Sequence, residues 1–170
     1  VKKYPELHII HFDAHTDLRD DYLGEKLSHA TVMRRCYELL GDKRIFQFGI
    51  RSGEREEFLF AEKHLTITKF TLDGIEGAVK AIGSKPVYLT VDLDVLDPSV
   101  FPGTGTPEAG GATFMELLSA LRRLSNLNII AADINELSPP YDNSGRSTAT
   151  ACKLLRELIL ILGLQGDKAI

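Results

Sequence analysis

The sequence predicts an α/β domain in which a mainly parallel sheet lies between two layers of helices. Three observations carry that expectation. Short apolar runs rich in β-branched residues alternate with helical patterns along the whole chain, an order that implies parallel strands joined by right-handed crossovers. Two of those runs end in clusters of acids, Ile9 to Asp17 and Val87 to Asp97. The longest irregular segments, 93–112 and 135–145, begin at strand exits as well, the edge where open parallel sheets bind ligands.

Strands are expected over 7–12, 44–50, 66–70, 86–92 and 127–134, each short, apolar and bounded by turn or helix signals. Helices over 29–40, 54–64, 74–82, 113–124 and 146–162 separate and follow them. Ser28 stands before the first helix as a cap, and Thr113 with Glu116 three residues on has the spacing of a capping box. The Gly74-Ile75-Glu76-Gly77 start makes 74–82 the poorest helix former of the set. No internal repeat, low-complexity tract or linker interrupts the 170 residues, so one domain over 1–170 is expected. Val1 opens the chain and a ligand-bearing strand follows almost at once. An upstream segment is therefore expected, which makes the domain N-terminally truncated.

Composition excludes several classes. A net charge of −4 without a long Lys/Arg run leaves no footprint for nucleic acid. The longest apolar stretch, Leu158 to Leu162, is far too short to cross a bilayer. Cys36 and Cys152 lack metal or redox spacing and read as reduced thiols. With no secretion leader at the start, they suit the cytoplasm.

The acids carry the chemistry. Asp13, His15 and Asp17 repeat every second residue, as do Asp92 and Asp94, and strand geometry puts such residues on one side. Four aspartates and a neutral histidine bring about four negative charges, which two divalent cations would balance. Oxygen ligands with one histidine favour manganese over zinc. Two metals about 3.5–4 Å apart can share carboxylate oxygens and lower the pKa of water between them, so metal-assisted hydrolysis is the implied reaction. Any one of these aspartates could instead cap a turn, and Asp97-Pro98 has the form of a turn opener. The five residues together, on two strand exits, point to metal.

Asp13-Ala14-His15-Thr16-Asp17, Asp92-Leu93-Asp94-Val95-Leu96-Asp97-Pro98 and Pro102-Gly103-Thr104-Gly105-Thr106-Pro107 resemble the signature segments of the ureohydrolases, the arginase and agmatinase family. The segment Asp133 to Asp142 resembles agmatinases more than arginases, as do Gly49-Ile50-Arg51-Ser52 and Ser28-His29-Ala30-Thr31. The resemblance implies a three-layer arginase-like fold and two manganese ions. Asp13 and Asp92 would bridge both ions, His15 and Asp94 would complete one, and Asp17 would serve the other. The family's histidine ligand from an upstream Gly-Gly-Asp-His segment has no counterpart in these residues, which leaves one metal site incomplete. His8 and His11 do not replace it by motif.

By the same resemblance Glu136 would grip a guanidinium through paired N–H bonds, and Thr106 would lie on the substrate side. His29 would shuttle protons, work suited to a histidine near neutral pH. The implied activity is hydrolysis of a small cationic guanidino compound, agmatine to putrescine and urea. Guanidinobutyrase, arginase or formimidoylglutamase activity, or a non-catalytic truncated subunit, stays open. Homo-oligomers, trimers or hexamers, are the family's habit. Among the remaining residues, Asp20, Asp21 and Glu25 read as a solvated loop, and Glu54, Glu56, Glu57 and Glu62 as a wet helix face. Phe58, Leu59 and Phe60 read as core or subunit contact, and His64 as an exposed residue near a helix end.

Overall fold

A computed structural model describes residues 1–166. Five strands, β1 (His8–Phe12), β2 (Ile45–Ile50), β3 (Thr66–Lys69), β4 (Pro86–Asp92) and β5 (Asn128–Asn135), form one sheet in the order β3-β2-β1-β4-β5. Every pairing is parallel. The connections run through α1 (Val32–Leu40), α2 (Arg55–His64), α3 (Ile75–Ile82) and α4 (Phe114–Arg123), and α5 (Arg146–Gly166) follows the last strand. The expected elements are thus all present, with ends shifted by a residue or two except at α5 and at the first helix.

Alternation along the central strand sorts the core. Ile10 and Phe12 join the large apolar cluster with α3, α4 and α5. Ile9 joins a second cluster, with Met33 and Leu40 of α1 and Ala61 of α2, on the other face. Both faces of β1 and β2 are covered, and all their residues are buried, as parallel strands between helix layers require. The fully buried Phe12, Phe48 and Leu89 each remove on the order of 2–3 kcal/mol worth of apolar surface from water. The outer strands β3 and β5 are only partly buried.

The first helix departs from expectation at its start. His29–Thr31 forms a 3-10 turn, with the Ser28 N–H donating to Thr31 Oγ1 at 2.9 Å, and α-geometry begins only at Val32. The backbone explains this. The N–H groups of Met33 and Arg34 donate to the carbonyl of Asp17 at 3.0 and 3.2 Å, so the free donors of the first turn are satisfied by the acid-rich loop itself. Other readings need correction too. Glu57 is buried in α2 rather than wet. Leu59 is exposed, while Phe60 packs against the α1 side under the Arg34 guanidinium, 3.8 Å from the ring centre. His64 is engaged rather than free, with Nδ1 3.0 Å from the Tyr37 hydroxyl and 2.7 Å from Asp42. Cys36 and Cys152 are unbridged. Among the described residues no helix is long and apolar enough to cross a membrane.

Candidate metal centre

Register brings the acids together. Phe12 pairs with Val91, so the residues that follow, Asp13 and Asp92, leave the sheet side by side. Asp92 in turn pairs with Asn135, which sets Glu136 next along the same edge. β2 approaches from the other flank. There Gly49 adopts φ +88°, and a Cβ would come within 2.6 Å of Val95 Cγ2 and 3.1 Å of the Asp13 carbonyl oxygen. Only glycine lets β2 pass so close at that dihedral.

Beyond the strands, backbone donors tie the two clusters to each other. The His15 N–H donates to Asp13 Oδ1 at 2.5 Å, the Ala14 N–H to Asp94 Oδ1 at 3.0 Å, and the Asp94 N–H to Asp92 Oδ1 at 3.0 Å. His15 Nδ1 lies 2.9 Å from Asp94 Oδ2 and 3.4 Å from Asp13 Oδ1. Among the described residues two groups have ligand atoms within 4.8 Å of one another, Asp13 with His15 and Asp94, and Asp13 with His11 and Asp17. Asp13 belongs to both. Asp92 belongs to neither and lines the cleft beside them.

The electrostatics are those of a site built for added positive charge. Burial, then repulsion from Asp13, pushes Asp92 up to about 10 and Asp17 up to about 7. Burial raises Asp94 as well. Burial opposes ionisation of Asp13 too, but His11 and then His15 hold it well below the usual carboxylate range. Burial disfavours charge on His15, yet its bonds to Asp13 and Asp94 carry it to about 10. Asp13 likewise raises His11 against its burial; a proton on His11 Nδ1, however, would meet the Gln47 amide 3.0 Å away. Among the described residues no Lys or Arg lies in ion-pair range of Asp13, Asp17, Asp92 or Asp94. Arg51 is near, but it directs Nη2 to the carbonyls of Asp94 and Glu108 at 2.7 and 2.8 Å. Clustered buried carboxylates with histidines but no Lys or Arg beside them fit hard divalent cations.

Above this floor a cleft of about 340 Å³ opens, lined by every candidate residue: Asp13, His15, Asp17, Asp92, Asp94, His29, Thr106 and Glu136. The last three are exposed. Glu136 follows β5 with φ 61°, and Asp17 has φ 54°, a left-handed geometry that non-glycine residues adopt at a cost and that concentrates at functional sites. The Thr106 loop is anchored through Gly103, whose N–H donates to Ser147 Oγ at 2.8 Å and whose carbonyl accepts from Ser138 N–H at 2.8 Å. His29 meets the Tyr22 ring edge-on at 5.2 Å, and Arg19 stacks on Tyr22 at 5.1 Å.

A family model described as the arginase family matches residues 1–161. The chain belongs to the arginase family. It is 48% identical over 163 residues to an agmatinase of Bacillus subtilis, covering 94% of this chain and 56% of that one. It is 35% identical over 173 residues to a guanidinobutyrase of Pseudomonas aeruginosa, covering 95% and 54%. A crystal structure of a candidate agmatinase from Clostridium difficile superposes with a TM-score of 0.92 at 53% identity, over 95% of this chain and 60% of that chain. The chain spans a little over half the length of the relatives it matches. The arginase family implies a binuclear metal centre, and this member carries His/Asp groups able to hold one.

Two groups beneath the site, His11 and Glu57, were missed as site residues in the sequence. His11 Nε2 sits 2.7 Å from Asp13 Oδ2. Glu57 Oε1 accepts from the Thr16 hydroxyl at 2.6 Å and the Leu18 N–H at 2.8 Å, while Oε2 caps α2 through the Glu54 N–H at 2.8 Å. The spacing of Glu54 and Glu57 was the available signal, since a glutamate three residues into a helix caps it; nothing local distinguishes Glu57 from its exposed neighbours.

Proposed function

We propose that the protein hydrolyses the guanidino group of a small cationic amine, agmatine before others, to urea and putrescine, with two manganese ions. The observation that carries this reading is Asp13, shared by both ligand groups at the floor of a cleft bordered by Glu136. In this reading Asp13 and Asp92 would serve both ions, His15 and Asp94 would hold one, and Asp17 would hold the other. The resemblance draws a further ligand from a segment outside these residues. The metals, when bound, supply Lewis acidity that makes water a nucleophile near neutral pH.

The side chains do the rest. Glu136 accepts two N–H bonds from the planar guanidinium and fixes its carbon above the acids. Thr106 borders the same substrate. Water adds to that carbon, the bond to the alkyl amine nitrogen breaks, and His29 passes a proton to the departing amine. The lining charge favours a cationic tail. Glu54, Glu57 and Glu136 join the four aspartates, and the single lining arginine, Arg19, is already paired with Glu54 at 3.2 Å and Glu57 at 3.7 Å. A carboxylate tail finds no uncommitted Lys or Arg among the described lining residues, so agmatine is favoured over guanidinobutyrate or arginine.

A panel of agmatine, 4-guanidinobutyrate and arginine with saturating Mn²⁺ tests this. Urea release from agmatine should exceed the others by at least about tenfold in kcat/KM. Ammonia or formamide in place of urea would overturn the assignment, and a bound-metal count near zero would favour a non-catalytic subunit. Assembly into trimers or hexamers, also carried over from the resemblance, is read by sedimentation.

A further inference from the structure

We propose that His11 is a positioning residue that fixes the Asp13 carboxylate from behind, as a neutral donor whose tautomer is set by Gln47; this rests on the two-metal reading above. His11 precedes Asp13 by two residues and pairs directly with Gln47 across the β1–β2 ladder. All three side chains are buried. Gln47 Nε2 lies 2.7 Å from the Thr16 carbonyl oxygen and 3.0 Å from His11 Nδ1.

A carbonyl oxygen only accepts, so Thr16 requires the amide nitrogen of Gln47, not its oxygen, to face it. The second amide N–H then points at His11 Nδ1, which must offer a lone pair. The ring proton is therefore on Nε2, 2.7 Å from Asp13 Oδ2. Asp13 Oδ1 meanwhile accepts from the His15 N–H, so both oxygens are held and the carboxylate plane is fixed. Thr16 is itself tied by its hydroxyl to Glu57. The orientation thus passes from α2 through Thr16, Gln47 and His11 to Asp13.

Two details support orientation over packing or ligation. Gln47 Oε1 is buried without a hydrogen-bond partner, an unfavourable state that an apolar side chain would avoid. Although His11 lies within 4.8 Å of Asp13 and Asp17 ligand atoms, both its ring nitrogens are engaged, so neither offers a lone pair to a cation. Partners that orient a ligand typically change metal affinity about 10–100-fold when removed.

Calorimetric Mn²⁺ titration of wild type, His11→Leu and His11→Gln tests the role. His11→Leu should weaken Mn²⁺ binding about 10–100-fold. His11→Gln, whose amide N–H can reach Asp13, should regain most of it. Metal-free melting should fall in His11→Leu, which strands the Gln47 amide and Asp13 Oδ2, and recover in His11→Gln. In wild type labelled with ¹⁵N-histidine, NMR should show the His11 proton on Nε2 with and without Mg²⁺, a result that decides the matter even if His11→Leu does not fold. Unchanged Mn²⁺ affinity in His11→Leu would overturn the proposal, and so would loss of the Nε2 proton on metal loading, which would make His11 a ligand. Wild type that binds no divalent cation would instead overturn the two-metal reading on which the proposal rests.

Discussion

At the floor of the cleft, Asp13 and Asp94 are 2% exposed and leave adjacent strands under the control of sheet register. At the rim, His29, Thr106 and Glu136 are exposed and sit on a 3-10 turn and two loops. In the floor Asp13 and Asp94 have partners on both carboxylate oxygens, whereas the rim is held through a few anchors such as Gly103 and Ser147. Floor and rim should therefore respond differently to substitution. Substitutions in the floor should remove the metals, and substitutions in the rim should spare metal and alter turnover.

The largest expected effect is in the floor. Asp92→Asn should release both metals and lower urea formation at least about a thousandfold; retained metal stoichiometry would break the floor-and-rim division. At the rim, Glu136→Gln should keep metal yet lower kcat/KM for agmatine about a hundredfold. Near-wild-type kinetics would remove Glu136 from substrate binding.

Glu57→Ala probes the support beneath the floor. It strands the buried Thr16 hydroxyl and Leu18 N–H and should lower stability by about 2–3 kcal/mol, or roughly 5–10 °C in Tm. A thermal melt checks it, and a shift within error would show that α2 does not brace the loop.

The floor also sets the pH dependence of the metal-free protein. Asp17 near 7 and Asp92 near 10 are raised above the ordinary 3.8, so above that value the unfolded state sheds protons that the folded state keeps. His15, raised to about 10, stabilises below 6.5 and loses that contribution as pH climbs through its folded value. Together they make metal-free stability fall from about pH 5 to about pH 9, with Asp17 and Asp92 acting up to about pH 7 and Asp92 and His15 above it. Saturating Mn²⁺ should flatten the fall, because cations replace the bound protons. A metal-free Tm that rises over this window would refute the electrostatic account. The smallest expected effect is Thr106→Ala, at most about threefold in KM with metal unchanged.

Much of the centre was legible in the residues because strand periodicity is local. The i, i+2 spacing of Asp13, His15 and Asp17 and of Asp92 and Asp94 marked the ligands at two strand exits that the parallel sheet makes adjacent. But β1 ends at Phe12, Asp17 has φ 54° and Asp94 lies in the 3-10 turn Leu93–Val95, so turns beyond the strands, not one strand face, bring them together. Glu57 shows where such reading stops. It stands among exposed glutamates in α2 and differs from them only because the helix docks that face against Thr16 and Leu18. The first helix shows the same limit. Ser28 marked a start, but the distant Asp17 carbonyl set where α-geometry begins.

By itself, the sequence determined the alternation of strands and helices, the parallel layering and the candidate ligands, since these follow from patterns within a few residues along the chain. Tertiary structure alone decided that Asp13 belongs to two ligand groups and that Glu136 and His29 border the same cleft. It also decided that His11 stands behind Asp13. Those relations join residues far apart in sequence, and only strand register and helix docking set the distances between them.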